Sequence, residues 1–165
     1  MKEIYGQYEN IVQSQVQIKD LHNLKGQLLL IIIHPWDRLV TLYKSYYEKF
    51  NYNYYLLYGL EMAKHQPLKA IDNFEWRQPL FTDFINYLIN HKNDVLQWSP
   101  IVDICPVCNY EFEYVIDLKS IENLDTSNTH KYVSQLNASQ IEKLKHIYWN
   151  DFVVFEYDSN KYIYY

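Results

Sequence analysis

The stretch "LLLIIIHPWDRLVTLYKSYY", Leu28 to Tyr47, decides how this chain folds. Six apolar residues, Leu28 to Ile33, run straight into His-Pro-Trp-Asp-Arg. A continuous apolar run of that length reads as a strand buried on both faces, as in a parallel sheet. Pro35 suits the first turn of a helix, where its missing N–H costs nothing. Trp36, Leu39, Val40, Tyr43, Tyr46, Tyr47 and Phe50 then follow helical spacing, which predicts an amphipathic helix. A strand that turns sharply into a helix is also a place to hold a phosphate, because the helix N-terminus presents unpaired N–H groups and a partial positive charge.

Arg38 and Thr41 lie three residues apart near that end, hence on one helix face, where a guanidinium and a hydroxyl could grip a phosphate together. Spacing alone favours the plainer reading, in which Arg38 pairs with a carboxylate and Thr41 packs. His34, before Pro35, is expected to be extended and to act on backbone conformation. No Gly-rich phosphate loop is present, since the only glycines are Gly6, Gly26 and Gly59.

Outward from this turn, residues 1–25 are polar and weakly helical, 51–58 show no period, and 61–73 read as a loop or short helix. Pro79 is expected to open a second helix, with Leu80, Phe81, Phe84, Ile85, Leu88 and Ile89 on one face. Phe112–Leu118 alternates as a strand does. Ser139 with Glu142 reads as a capping box ahead of a C-terminal helix carried by Ile141, Leu144, Ile147, Tyr148, Phe152 and Phe155. Strand, helix, helix, strand and helix joined by short links predict an α/β layered fold without internal repeats.

The chain has 165 residues, 48% of them hydrophobic, enough for one domain with a real core. A net charge of −5 and only two arginines, Arg38 and Arg77, argue against nucleic acid as a partner. The same balance is unfavourable for any polyanion outside a local basic patch. Eighteen tyrosines could offer sugar-binding platforms, although compositional bias explains them as simply. No run reaches the roughly 20 apolar residues of a membrane span, and no signal sequence follows Met1.

Cys105 and Cys108 form a CxxC pair. No second cysteine pair exists, and His91 and His130 are not at ligand spacing, so no metal site is expected. The strand and helix that frame a redox CxxC are missing too. A structural pair, disulfide-linked in an oxidising compartment, is the expectation. Asn137-Ala138-Ser139 is an N-glycosylation sequon. Glu111, Glu113 and Asp117 are assigned to a solvated strand face, and no catalytic residue can be named.

Three blocks resemble the Golgi carbohydrate sulfotransferases, the family of the chondroitin, dermatan and HNK-1 enzymes. "IIIHPWDRLVTLYKSYYEKF" is similar to the family's strand and helix of the form Val-Arg-x-Pro-Phe-x-Arg-Leu-Val-Ser-x-Tyr-Arg. "QWSPIVDICPVCNYEFEYV" is similar to its His-Trp-x-Pro, Cys-x-Pro-Cys, Tyr-Asp-Phe block. "YVSQLNASQIEKLKHIYWNDFVVFEY" is similar to its terminal helix, which ends Tyr-x-x-Asp-Phe-x-x-Phe-x-Tyr. The resemblance implies a partial P-loop-like sulfotransferase fold, a short parallel sheet flanked by amphipathic helices. It also implies sulfuryl transfer from PAPS to a glycan hydroxyl, with PAP leaving, no metal, and a membrane-anchored Golgi setting.

The same resemblance marks departures. The family's 3′-phosphate Arg falls at Ile33 and its Ser at Thr41, while Arg38 is retained, which leaves Arg38 and Thr41 as the implied cofactor contacts. The family's His falls at Gln97 and its Glu at Lys119. Residues 1–27 carry no counterpart of the 5′-phosphosulfate loop, so 28–165 reads as the C-terminal portion of the domain. The expectation is a truncated or degenerate sulfotransferase, weakly active or inactive as given. The alternative is a non-catalytic glycan- or partner-binding module that reuses the fold.

Overall fold

The computed structural model describes residues 29–71, 74–91, 96–105, 112–118 and 128–163. The predicted strand is β1, Leu29–Ile32, and it pairs in parallel with β4, Tyr114–Asp117, placing Leu30 opposite Val115 and Ile32 opposite Asp117. A parallel pair needs a long crossover, and here the intervening chain supplies helices and a separate hairpin. The architecture is mixed helix and short parallel sheet, an α/β arrangement. β1 departs from the expected burial on both faces: Leu30 and Ile32 are buried, whereas Ile31 is 49% exposed. Leu30 and Ile32 join the helical core, while on the other face Ile116 is buried beside the exposed Ile31.

Helix α1, Pro35–Tyr43, starts where Pro35 predicts and runs directly into a π-helical turn, Lys44–Glu48. Trp36, Leu39, Val40, Tyr43 and Tyr47 form its buried stripe. The stretch without a readable period is helical as well. Tyr52–Tyr54, a second π-helical turn Tyr55–Gly59, and Leu60–Met62 make α2 (52–62). Two changes of helical pitch blur a 3.6-residue period, which is why the sequence hides these elements.

Within the segment expected to be a loop, Leu68–Ile71 is β2, and it pairs antiparallel with β3, Phe74–Arg77. Helix α3, Phe81–Asn90, follows Pro79, with the Asp83 carboxylate accepting the Leu80 N–H at 2.9 Å. A 3₁₀ turn, Leu96–Trp98, leads to the short α4, Ile101–Ile104.

The C-terminal third contains α5, Thr129–Val133, then α6, Ala138–Ile147, and α7, Trp149–Val154. The expected capping box is displaced by two residues. Asn137 Oδ1 accepts from Gln140 N, and Gln140 Oε1 accepts from Asn137 N, both at 2.9 Å. Asn caps as well as Ser does, and Gln140 also bonds Asn86 of α3 at 2.8 Å, so tertiary contact selects this register. The expected single helix breaks at Tyr148, which bridges α6 and α7.

α7 closes in a Schellman motif: Tyr157 N bonds Phe152 O at 2.9 Å and Glu156 N bonds Val153 O at 3.4 Å. Glu156 occupies the left-handed position with φ 53°. That turn sends residues 157–163 back over the N-terminus of α1. The core is strongly aromatic, with Trp36, Phe81, Phe84, Trp98, Tyr148 and Phe152 in one cluster. No helix among the described residues is long and apolar enough to cross a membrane.

Candidate functional site

The N-terminus of α1 is filled by protein. His34, wholly buried and extended (φ −54°, ψ 132°), accepts the Trp36 N–H on Nδ1 at 3.3 Å. Its Nε2 therefore carries the proton and donates to the Asp158 carbonyl at 3.0 Å. Trp36 Nε1 donates to Ser159 O at 3.0 Å. Asp37, also buried, accepts from Thr129 Oγ1 at 2.6 Å and from Tyr162 Oη at 3.0 Å, with Lys161 Nζ 3.8 Å away. A carboxylate in the first turn is the charge this helix end favours. The helix end thus has an internal anion and a cover made by residues 157–163.

One turn further along α1, Arg38 bridges two backbone carbonyls of the 3₁₀ turn. Its Nη1 donates to Ser99 O at 2.6 Å and its Nη2 to Gln97 O at 2.8 Å. From the other side, Tyr148 Oη donates to Trp98 O. Asp151 in α7 accepts the N–H groups of Ile101 (2.8 Å) and Val102 (3.0 Å), capping α4. Arg38, Tyr148 and Asp151 together clamp residues 97–102.

The clamp is buried enough to perturb its members. Burial pushes the Asp151 carboxyl above its ordinary value, against the pull of the Val102 and Ile101 N–H groups and of Arg38. Burial likewise lowers the Arg38 guanidinium, against the opposing influence of Tyr148 and Asp151. The Asp151 carboxylate acts on Arg38 through its charge alone, not as the ion-pair partner that the plainer reading of the Arg38 spacing expects. The hydrogen bonds of Arg38 go to backbone.

Thr41 is exposed on the same helix face, and Ile33 is half-buried at the end of β1. That face continues through Ser45 to Tyr46. Tyr46 stacks on Tyr54 of α2 with ring centroids 3.8 Å apart and planes at 23°. Gln97 Nε2 donates to Tyr54 Oη at 3.0 Å. Arg38, Gln97, Tyr54 and Tyr46 are thereby joined through one chain of contacts beside Thr41. The sequence gives the Tyr46 position, eight residues after Arg38, but carries no signal for its pairing with Tyr54.

Other residues singled out above lie apart. Asn137 is exposed at the N-cap of α6, and His65, His130 and His146 are exposed. His91 stacks on Tyr87 at 4.0 Å and bonds its carbonyl. Glu113 is exposed and Asp117 half-buried, while Glu111, Lys119 and residues 1–28 lie outside the described residues. Cys105 is half-buried at the end of α4, and Cys108 lies outside the described residues. Among the described residues no group of three metal-ligating side chains comes together.

The clamp unites one residue set from each of the three resembling blocks, and comparison with known proteins points the same way. The sequence relatives are carbohydrate sulfotransferases. The chain is 20% identical over 170 residues to carbohydrate sulfotransferase 8 of Mus musculus, covering 78% of this chain and 39% of that protein. It is 21% identical over 174 residues to carbohydrate sulfotransferase 8 of Homo sapiens, covering 83% of this chain and 41% of that protein. The similarity supports a sulfotransferase family relationship. The chain spans about two fifths of the length of these relatives. No protein-family model and no solved structure matches.

Proposed function

We propose that this chain is the C-terminal portion of a PAPS-dependent carbohydrate sulfotransferase domain, truncated or degenerate, and that by itself it transfers little or no sulfate. The observation that carries this reading is the clamp on residues 97–102, which draws on Arg38, Tyr148 and Asp151 from blocks 59 to 61 and about 50 residues away in sequence. Residues that look like family motifs and also hold one another are hard to explain as chance similarity. The glycan hydroxyl as acceptor and the Golgi as setting follow from the family relationship.

Thr41 and Arg38 would hold the 3′-phosphate end of PAPS. Thr41 offers an exposed hydroxyl, and Arg38 keeps the N–H groups that do not bond Gln97 and Ser99. Ile33 offers nothing to a phosphate. The residues present therefore fit one side of a phosphate, and PAPS, when bound, would supply the activated sulfuryl group. The use of Arg38 on backbone carbonyls also favours a second reading, a glycan- or partner-binding module without catalysis. Disulfide pairing of Cys105 with Cys108 and glycosylation at Asn137 belong to the lumenal setting of either reading.

Isothermal titration of the purified chain with PAP tests the first reading. Binding that weakens in Thr41→Val is expected, and no binding would overturn it in favour of the second. Labelled PAPS with glycan acceptors should give little transfer; strong sulfation would show that the chain is not catalytically crippled.

A further inference from the structure

We propose that Tyr46, Tyr54 and Gln97 form a subsite for a neutral hexose ring, adjoining Arg38 and Thr41. The proposal rests on the glycan-directed reading above and assigns the acceptor a place on the molecule. Three independent features of the structure converge there.

The first is shape. Tyr46 and Tyr54 sit in or beside the two π-helical turns, Lys44–Glu48 and Tyr55–Gly59, which pack against each other. π-Turns are costly local departures that recur at functional sites. Here they bring two half-buried rings into a stack with centroids 3.8 Å apart. Small-molecule sites are lined mainly by apolar and aromatic side chains with a few placed polar groups, and the stack with Gln97 offers residues of both kinds.

The second is hydrogen-bond capacity. Gln97, exposed, donates to Tyr54 Oη through Nε2 at 3.0 Å, and an amide carries an acceptor oxygen beside that donor. Next to Tyr46 and Gln97 in sequence, Tyr47 Oη and Trp98 Nε1 are buried without a partner among the described residues, in residues only 2% and 3% exposed. Both side chains pack on Phe84, and burial, aided by the phenols of Tyr58, Tyr54, Tyr87 and Tyr46, holds the Tyr47 phenol above its ordinary range. Orphaned buried donors of this kind are rare in native proteins and ask for an occupant or an ordered water.

The third is charge. The groups on offer are phenols, an amide and an indole N–H, a set that mixes donors and acceptors and contains no carboxylate. Sugar hydroxyls both donate and accept, so they match it. A polysulfated chain does not, because the set contains no cation and the whole chain carries −5.

The test uses the full 165-residue chain with neutral methyl hexopyranosides and methyl N-acetylhexosaminides as probes, heparin as the polysulfated arm, and PAP in parallel titrations. Neutral sugar binding, read by saturation-transfer NMR, is expected to weaken roughly tenfold in Tyr54→Ala and to fall in Gln97→Ala, an exposed position where folding is not at risk. PAP affinity should be unchanged in both. Absence of neutral-sugar binding, indifference to both substitutions, or preferential heparin binding would overturn the subsite. So would loss of PAP rather than sugar binding in Tyr54→Ala, which would place an adenine on the stack. If sugar binding behaves as expected while PAP does not bind at all, the subsite stands and the sulfotransferase reading fails.

Discussion

Asp151 in α7 caps α4 by accepting the Ile101 N–H at 2.8 Å, across 50 residues of sequence. A second N–H, that of Val102, is satisfied by the same carboxylate. Removing this acceptor leaves two donors without a partner in a largely buried site. Asp151→Ala should destabilise the chain by roughly 2–4 kcal/mol, while Asp151→Asn, which keeps one acceptor oxygen, should cost less. Urea unfolding resolves the difference, and equal effects would show that capping is not what Asp151 contributes.

Arg38 serves two carbonyls with one planar group, which an ammonium cannot reproduce. Arg38→Lys is therefore expected to behave closer to Arg38→Ala than to the native protein, with a loss on the order of 1–3 kcal/mol. Near-ultraviolet circular dichroism should lose the signal of the clamped, buried Trp98. A Lys variant with native stability and native spectrum would contradict the bridging role.

Gly59 lies in the second π-turn, where an added Cβ would meet Tyr55 Cδ2 at 2.7 Å. Tyr55 cannot easily move, because it is buried and its hydroxyl accepts the Arg77 N–H at 3.0 Å. Gly59→Ala should destabilise by about 1–2 kcal/mol, even though Ala is the better helix former by about 1 kcal/mol. A stabilised variant would mean that the turn reverts to ordinary α-helix.

Glu156 holds the left-handed position of the Schellman motif, where Gly is normally found. Glu156→Gly should raise stability by about 1 kcal/mol, since the relief of the left-handed strain exceeds the added chain entropy. Thermal unfolding of the single variant is sufficient to check this.

Buried tyrosines set an alkaline limit. Burial raises Tyr43 from 10.0 to about 12, and it raises Tyr47 and Tyr148 further. The folded state then holds protons that the unfolded state releases, so stability falls as pH rises above 10. Each such group contributes about 1.4 kcal/mol per pH unit until its folded value is reached. Tyrosinate absorbance should appear together with unfolding; early titration of these residues in a folded chain would refute the assignment.

The opening stretch was the most legible part of the fold, because a continuous apolar run, a proline and a helical stripe all describe the same strand and helix. The position of α3 and the alternating β4 were legible for similar reasons. The α2 helix was not, since π-turns change the spacing on which periodicity depends. The hairpin 68–77 was hidden by Lys69 and Glu75, which interrupt the apolar pattern. At the site, resemblance named Arg38 as retained and marked the terminal block that contains Tyr148 and Asp151. That they act on the backbone of residues 97–102 depends on three distant segments meeting, and no local pattern encodes such a meeting. The pairing of Tyr46 with Tyr54 is equally a product of tertiary approach.

The cover formed by residues 157–163 has a consequence for how the molecule comes into being. His34 bonds Asp158, and Trp36 bonds Ser159, contacts that join positions 124 and 123 residues apart. During synthesis the first helix emerges long before its seal exists, with a buried-type histidine, indole and carboxylate all exposed to water. Closure therefore waits until residues 157–163 have left the ribosome, and loops of this size close slowly. A chain cut after residue 155 would contain every described helix and strand and still have no lid for the turn at His34.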